Sequence, residues 1–165
     1  MIAARLIATL LGVGYLRPGP GTWGSLIALP YAWLLHVIGG LPLLALGIIA
    51  AFPLGWWATA RMTAGQENHD PSEIVVDELV GQWIALLPLS HAAWSMGIPI
   101  LNLWPGWIAA FLLFRLFDIA KPWLVGWADR RGDPLGVMLD DVIAGIFAAV
   151  CVIVLAGLYH GVLQG

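Results

Sequence analysis

Four acids stand in two adjacent pairs, each at the start of a long apolar run. Asp77 and Glu78 open the run "IVVDELVGQWIALL", and Asp140 and Asp141 open "MLDDVIAGIFAAVCVIVLAGL". Acids in the first turn of a helix are favoured by the helix dipole and by free N–H groups, so capping is one interpretation. Neighbouring carboxylates also repel each other and lose hydration in apolar surroundings, and a bound cation relieves both costs. A ligand set of oxygens alone favours Mg²⁺, or Mn²⁺, over zinc.

A glycine follows each acid pair at the same spacing. Gly81 lies four residues after Asp77, and Gly145 lies four residues after Asp141. Residues i and i+4 share one face of a helix, so each acid is predicted to have a bare patch of backbone one turn away. The pattern predicts a close approach of two helices beside the acids, with ordinary small-residue packing as the alternative.

A second set of charges lies in "FRLFDIAKPWLVGWADRR", residues 114–131. Arg115 and Asp118 are three residues apart and share a helical face. Lys121 is predicted to end that helix, because the following Pro122 disfavours the α conformation before it. Two cations around an acid could bind a phosphate while the acid holds a metal. The alternative is a membrane anchor with an internal salt bridge.

Two loops add weaker candidates. Residues 12–25, "GVGYLRPGPGTWGS", form a loop of glycines and prolines in which Thr22 and Ser25 could cap the helix that follows. Free N–H groups at such a helix start can bind an anion, although the loop lacks the Gly-Lys-[Ser/Thr] element of a P-loop. His69 and Asp70, in "ENHDPSEIVVDE", are candidates for proton transfer or for contacts that support a metal.

The composition indicates the class of protein to which these motifs belong. Hydrophobic residues make up 61% of the 165 residues and charged residues only 10%, whereas an ordinary soluble domain is about 25% charged. Ten tryptophans are also typical of membrane proteins, because indole favours the membrane interface. We therefore predict a single integral membrane domain over residues 1–165, with no basic run that suggests nucleic acid.

The apolar runs predict an all-α, polytopic helical bundle. A spanning helix needs about 20 mostly apolar residues. About five spanning helices are predicted, with a kink at Pro53 in the second and a short N-terminal half-helix over residues 2–13. The predicted spans are residues 22–39, 43–61, 77–96, 98–117 and 140–160.

The charges divide unequally between the two ends of such a bundle. The loops 14–22, 61–76 and 118–139 lie at one end and carry nearly all the Lys and Arg residues, and the acids lie in or beside the same loops. By the positive-inside rule this end faces the cytoplasm. The opposite end carries almost no charge, so the chemistry is predicted at the cytoplasmic face.

Several phosphatase and hydrolase mechanisms lack their residues here. No arginine closely follows Cys151, which is the single cysteine and forms no disulfide framework, and no Gly-x-Ser-x-Gly elbow is present. What remains is a set of acids, a metal and some cations, with no evident protein nucleophile.

Four blocks of sequence resemble the phosphatidylglycerophosphatase A family of bacterial membrane phosphatases. The blocks are "PGTWGSL" at 20–26, "HDPSEIVVDELVG" at 69–81, "FRLFDIAKPWLVGWADR" at 114–130 and "GVMLDDVIAG" at 136–145. The resemblance covers nearly the whole chain. It implies Mg²⁺-dependent hydrolysis of phosphatidylglycerophosphate to phosphatidylglycerol and phosphate, at the cytoplasmic side of a bacterial inner membrane. It also places the family's characteristic charged positions on a defined set of residues: Asp70, Asp77, Glu78, Asp118, Asp129, Asp140, Asp141, Arg115, Lys121 and Arg130.

These observations lead to a hypothesis about roles. Mg²⁺ is expected on some of five acids, Asp77, Glu78, Asp118, Asp140 and Asp141, with catalytic roles for Glu78, Asp77 and Asp141. Arg115, Lys121, Arg130, Thr22 and Ser25 are the phosphate-binding candidates, and His69, Asp70 and Asp129 support them. Glu78 is the favoured base toward water. A phospho-aspartate intermediate is the alternative, because it needs only a carboxylate that is already present.

Two other functions compete with this hypothesis. A small ion-coupled transporter would use acids to bind and relay a cation, but such acids usually lie near the middle of the membrane. A CDP-alcohol phosphotransferase-like lipid enzyme would also use Mg²⁺ at helix ends, but its spaced aspartate signature is absent from the sequence. The oligomeric state does not follow from the sequence.

Overall fold

A computed structural model describes residues 1–66 and 70–163, with side chains described as far as residue 159. The described residues form helices and connecting turns and no strand, which confirms the all-α prediction. Short 3₁₀ helices precede α2 and α4, at Val13–Tyr15 and Ile100–Leu103. The six α-helices are α1 (Ile2–Ala8), α2 (Pro20–Thr63), α3 (Val76–Met96), α4 (Trp104–Ala120), α5 (Leu124–Asp129) and α6 (Pro134–Leu163).

Helix α2 is a helical hairpin with its bend at two glycines. Gly39 and Gly40 have non-helical backbone angles, and Gly40 has a φ of 62°, a region that favours glycine. A Cβ on Gly40 would lie 1.9 Å from the ring of Trp94, near the end of α3. Gly24 and Gly55, on opposite arms, both lie against the start of α3. The two arms are therefore antiparallel, and the predicted interruption between 39 and 43 is confirmed.

Pro53 lies inside the second arm of the hairpin, and the kink predicted there stays a prediction. Within α2 only Gly39 and Gly40 leave the helical conformation, so the second arm continues through Pro53. The proline lies on an exposed face of the helix. Membrane helices tolerate such a residue because local adjustments satisfy the freed carbonyl.

Helix α3 forms the centre of the bundle. It packs against both α2 and α6 and also contacts α4, and most of its length is buried. Polar side chains such as Gln82 and Ser90 are fully buried within it. A helix that is surrounded by protein need not be apolar on every face, which explains why its sequence is less hydrophobic than that of its neighbours.

Among the described residues, three helical segments are long and apolar enough to cross a membrane: Pro20–Thr63, Ile100–Ala120 and Pro134–Tyr159. Their exposed faces carry large apolar side chains such as Ile49, Leu112 and Ile153. A surface of this kind suits lipid and not water. Helix α1 has only seven residues, about 10 Å of helix, and is too short to span. These features identify a helical membrane protein, while the count of about five spans stays a prediction.

Candidate metal and phosphate site

Helices α3 and α6 approach closely at the two glycines that follow the acids. A Cβ on Gly145 would lie 2.4 Å from the carbonyl oxygen of Gly81, and a Cβ on Gly81 would lie 2.6 Å from the carbonyl oxygen of Asp141. Neither distance leaves room for a side chain. The predicted close approach is confirmed, and it brings Asp77 and Asp141 from different helices to one place.

Asp140 and Asp141 do not lie at the start of their helix. Helix α6 begins at Pro134, so both acids lie more than one turn inside it. The first turn is capped by Asp133 instead, whose Oδ1 accepts a hydrogen bond from the N–H of Gly136 at 2.7 Å. The capping interpretation is therefore wrong for Asp140 and Asp141. Their burial within a helix has to be explained by what they bind.

The five predicted metal ligands lie at one end of the bundle as two groups of three. We call Asp77, Glu78 and Asp141 the first trio, and Asp118, Asp140 and Asp141 the second trio. Within each trio, one carboxylate oxygen per residue lies within 4.8 Å of the others. Each trio could therefore place three oxygens around one cation, and Asp141 belongs to both.

The first trio holds buried oxygens without hydrogen-bond partners. Asp77 Oδ1, Glu78 Oε2 and Asp141 Oδ2 are all buried, and none has a partner in the part of the chain that the structure describes. A buried, unsatisfied polar atom is costly, and charged groups cost most. Carboxylate oxygens without protein donors fit a divalent cation that takes oxygen ligands. The residues of the first trio thus form a group that could hold a divalent cation.

The acids found only in the second trio are paired with protein cations. Arg115 Nη1 donates to Asp118 Oδ2 at 2.5 Å, and Lys121 Nζ donates to Asp140 Oδ2 at 2.9 Å and also to Asp129. Burial alone would lower the pKa of Lys121, but its hydrogen bonds to Asp129 and Asp140 outweigh that effect and raise it. Lys121 is therefore charged at neutral pH, and its ammonium group is held at the rim of the site.

Arg115 keeps a free donor inside the site. Its Nη1 also donates to Ser25 Oγ at 3.5 Å, a long hydrogen bond, while its Nε is buried and has no partner among the described residues. Ser25 Oγ itself donates to the carbonyl of Gly21 at 2.9 Å. An arginine fixed by an acid and a hydroxyl, with one N–H still available, is suited to bind a phosphate oxygen.

The start of α2 covers Glu78. A Cβ on Gly21 would lie 2.1 Å from Glu78 Oε1 and 3.2 Å from Arg115 Nη1, so only glycine allows this contact. Thr22 lies half-buried on the same turn, and its N–H donates to the carbonyl of Gly19 at 3.0 Å. That N–H is not free for an anion. The structure therefore brings Ser25 to the cations and gives Thr22 no comparable contact.

The remaining predicted residues lie at the exposed rim. Asp129 accepts from Lys121, and Arg130 ends α5 with its guanidinium beside Gly126. Loss of hydration raises the pKa of Asp70, Lys121 opposes the increase, and Asp129 and Asp118 add to it. Asp70 is thus electrostatically coupled to the cluster. His69 lies outside the described residues.

One buried residue near the site escaped the sequence interpretation. Gln82 is fully buried, and neither atom of its side-chain amide has a hydrogen-bond partner among the residues described. It lies four residues after Glu78, on the same face of α3. That spacing is the signal that could have identified it, but an amide within a long apolar run is also common in membrane helices that pack against others.

Fold and site together define a class of protein. The exterior is apolar like that of an integral membrane protein, and one end combines carboxylates for a divalent cation with an arginine and a lysine for an anion. This combination defines a membrane-embedded enzyme of phosphate-ester chemistry.

The chain belongs to the phosphatidylglycerophosphatase A family, whose family model matches residues 6–156. It is therefore a phosphatase, a hydrolase, and the resemblance seen in the four sequence blocks is confirmed. A Haemophilus influenzae phosphatidylglycerophosphatase A is 35% identical over 150 residues, which cover 90% of this chain and 85% of the relative. The Escherichia coli phosphatidylglycerophosphatase A is 34% identical over 147 residues, with coverage of 88% and 78%.

A third relative carries a different name. A Bacteroides thetaiotaomicron protein, whose name proposes phosphatidylinositol-3-phosphatase activity, is 36% identical over 160 residues, which cover 90% of this chain and 91% of that protein. All three names describe a phosphatase that acts on a phospholipid, and only the third names a different headgroup. No solved structure matches the chain.

Proposed function

We propose that this protein hydrolyses the terminal phosphate of phosphatidylglycerophosphate, giving phosphatidylglycerol and phosphate, in a Mg²⁺-dependent reaction of phospholipid biosynthesis. The names of two relatives and the family support the substrate. The observation that carries the proposal is the first trio: three buried carboxylate oxygens without partners, next to an arginine with a free N–H. Neither the transporter nor the phosphotransferase alternative has support in this arrangement.

The first trio is the proposed metal site. Asp77, Glu78 and Asp141 would hold Mg²⁺, with Mn²⁺ as a substitute, because no protein cation neutralises their unpaired oxygens. When bound, the ion draws electron density from the phosphoryl group and makes water more acidic. The second trio shares Asp141, but Arg115 and Lys121 are already paired with Asp118 and Asp140, so the metal is placed on the first trio.

Arg115, Lys121 and Arg130 are the proposed phosphate-binding residues, each at a different position in the site. Arg115 is fixed by Asp118 and Ser25, so its Nε points a preformed donor at the phosphoryl oxygens. Lys121, fixed by Asp140 and Asp129, adds a second positive charge at the rim. Arg130, at the exposed rim, would contact the substrate phosphate before it enters the site. Charge that develops on the phosphoryl group in the transition state is thereby neutralised without movement of these side chains.

Glu78 is the proposed general base. One of its oxygens lies against the start of α2 near Arg115, and the other is buried without a partner. The Glu78 oxygen that does not bind the metal would accept the proton of an attacking water. Attack by Asp77 or Asp141 on phosphorus remains the alternative, and it predicts a phospho-enzyme that acid quenching would trap.

We also propose five membrane crossings with the site at the cytoplasmic face of a bacterial inner membrane. The two arms of α2, together with α3, α4 and α6, supply the crossings, and the excess of Lys and Arg lies at the acidic end. Single cysteines at Gln66 and Asn102, in a Cys151→Ser background, test this arrangement. A reagent that cannot cross membranes should label Asn102→Cys in intact cells and Gln66→Cys only after lysis. The reverse pattern would invert the topology.

The experiment that tests the activity is phosphate release by the purified protein in detergent micelles. Phosphatidylglycerophosphate, phosphatidate and phosphatidylinositol 3-phosphate are supplied in turn, with Mg²⁺ or EDTA, and Asp77→Asn is run alongside. Release that requires Mg²⁺ and Asp77 and is fastest with phosphatidylglycerophosphate supports the proposal. Faster phosphate release from phosphatidylinositol 3-phosphate would show that this protein prefers the substrate named for the Bacteroides relative. No phosphate release from any of the three lipids would contradict a lipid phosphatase.

A further inference from the structure

Helix α5 turns an apolar face outward beside the site. Val125 and Ala128 are buried against the protein, as expected for a packed helix. The opposite face, made of Trp123, Leu124 and Trp127, is also apolar, and these side chains are 86%, 55% and 51% exposed. We call these three residues the outer face of α5. A surface helix of a water-exposed protein would carry polar residues there.

The outer face is held in a fixed position. A Cβ on Gly126 would lie 2.6 Å from the carbonyl of Lys121, and a Cβ on Gly136 would lie 2.7 Å from the carbonyl of Ala128. Helix α5 is thus pressed against both the segment before it and the start of α6. Trp123 also has a φ of 43°, an unfavourable region for a bulky residue. No packing against protein compensates for that conformation, since Trp123 is mostly exposed.

The outer face continues the lipid-facing surface of the bundle. Helix α5 connects the end of α4 to the start of α6, two segments apolar enough to span, at the end where the acids lie. The last turns of α4 expose Leu116 and Ile119 just before it, at 57% and 70%. An apolar surface therefore runs from the side of α4 to the outer face without a polar gap other than the Lys121–Pro122 turn.

Cations paired with tryptophans lie beside the outer face, and one of them, Arg131, is also paired with Asp133 at 2.9 Å. The guanidinium of Arg131 lies over the ring of Trp127, 6.0 Å from its centre, and Arg61 lies over Trp57 at 5.9 Å near the end of α2. Arg130 makes no ion pair with an acid in the described part of the chain. Tryptophan paired with arginine is typical of the interface between membrane and water.

We propose that the outer face of α5 is inserted into the headgroup layer of the membrane and forms the platform from which an anionic phospholipid reaches Lys121 and Arg130. The proposal rests on the proposed function, because a lipid substrate has to enter sideways from the bilayer. Trp123 and Trp127 would hold the platform at the depth of the glycerol backbones, and Arg130 would contact lipid phosphates. The side of the site that faces α5 is then the side on which substrate arrives.

A depth measurement tests the platform without any activity. Leu124→Cys, in a Cys151→Ser background, is labelled with an environment-sensitive fluorophore and placed in nanodiscs that contain lipids with quenchers at known depths. Leu112→Cys, in the middle of the lipid-facing side of α4, is the deep control, and Gln66→Cys, in an exposed loop, is the aqueous control. We expect the label at 124 to be quenched most by the shallow lipid quencher.

Two outcomes of that measurement would overturn the proposal. Quenching of the label at 124 by aqueous iodide, as at 66, would show that the outer face lies in water. Protection from both lipid and aqueous quenchers, together with cross-linking of Leu124→Cys to a second copy, would assign the face to a dimer interface. Both outcomes leave the hydrolytic function untouched, so this failure and failure of the proposed function are distinguishable.

Kinetics supply the second test. Trp123→Ser/Trp127→Ser is compared with Trp104→Ser, whose tryptophan is 63% exposed at the opposite end of α4. For substrate in vesicles of phosphatidylcholine and phosphatidylserine, we expect the double variant to raise KM by roughly tenfold with unchanged kcat, because lost interfacial contacts weaken capture. For a short-chain monomeric substrate we expect wild-type kinetics. An equal loss with both substrates would overturn the platform in favour of a structural role.

Discussion

Two groups of acids lie at the same end of the bundle and differ in whether a protein cation neutralises them. Asp118 and Asp140 each hold a protein cation, Arg115 and Lys121 respectively. The acids of the first trio have oxygens with no partner at all among the described residues. Buried carboxylates need a counter-charge. An acid that is paired with a protein cation can hold that cation in position. An acid whose oxygens have no partner can instead bind a cation from solution.

The difference has a structural origin. Asp118 follows Arg115 by three residues on one helix, and Lys121 lies at the end of that helix, so these cations reach the acids from α4. No Lys or Arg occurs in α3, and α6 carries none within its described length. The interface between α3 and α6 is also closed by glycines, which leave no room for a long cationic side chain. Close helix packing thus keeps cationic side chains out of the α3–α6 interface, and Arg115 of α4 reaches the first trio only beside Glu78.

The largest effect is expected at the acid that the two trios share. Asp141→Asn should lower the rate of phosphate release by roughly 1,000-fold or more, because it removes charge from both trios. His36→Ala is the control. Its ring Nδ1 is hydrogen-bonded to Ser90 at 2.8 Å toward the opposite end, and we expect activity within about twofold of wild type. A variant at 141 that retained a substantial rate would show that the trios do not meet in one centre.

The comparison between the trios is sharpened by a matched pair of amides. Asp77→Asn should weaken binding of Mn²⁺, measured by titration with electron paramagnetic resonance, by more than about tenfold. Asp118→Asn should leave that affinity nearly unchanged and lower kcat/KM by roughly 10- to 100-fold, because Arg115 loses the acid that orients it. Equal effects of the two variants on Mn²⁺ affinity would contradict the division between acids that bind a metal ion and acids that are neutralised by a protein cation.

The contact between α3 and α6 is tested by one methyl group. Gly145→Ala should lower the free energy of unfolding by about 1–3 kcal/mol and reduce activity, because the new Cβ would overlap the carbonyl of Gly81. Gly157→Ala, on the same helix, has no atom within 4 Å of its Cβ position and should be neutral. Thermal unfolding in detergent compares the two. Similar curves for both variants would contradict the tight contact.

The smallest effect concerns the pH dependence of Lys121. A lysine whose native pKa is raised stabilises the fold fully below its ordinary pKa of about 10.4, and the contribution is lost as the pH rises through the native value. The difference in thermal stability between wild type and Lys121→Met should therefore be equal at pH 7 and pH 9. A difference that shrinks between these two values would show that Lys121 is not held by Asp129 and Asp140. Arg61→Met serves as the control cation.

Much of the site was predictable because it follows from local spacing. The i, i+4 relation of acid and glycine predicted where α3 and α6 meet. The i, i+3 relation of Arg115 and Asp118 predicted that they share a helical face, and the salt bridge named as an alternative interpretation is present. Apolar composition predicted the helices. Each of these depends on residues within one or two turns of a single helix, where geometry is nearly fixed.

The errors arose where a helix boundary or a contact depends on distant residues. The apolar run suggested that α6 begins at Asp140, but Asp133 caps it earlier, with Pro134 as a favourable first residue. The bend at Gly39 and Gly40 also depends on another helix, because Trp94 of α3 takes the space of a side chain there. Gln82 was passed over because its burial follows from the central position of α3 in the bundle.

The sequence by itself determined the class of the protein, the helices, the family and the end at which the chemistry lies. Hydrophobicity and charge act through composition and short spacing, so they can be seen without a fold. Only the tertiary structure decided which acids receive a protein cation and which keep bare oxygens, and that Gly21 of α2 closes over Glu78. Those pairings join residues that are far apart in the chain, and it is the packing of α2, α4 and α6 around α3 that brings them together.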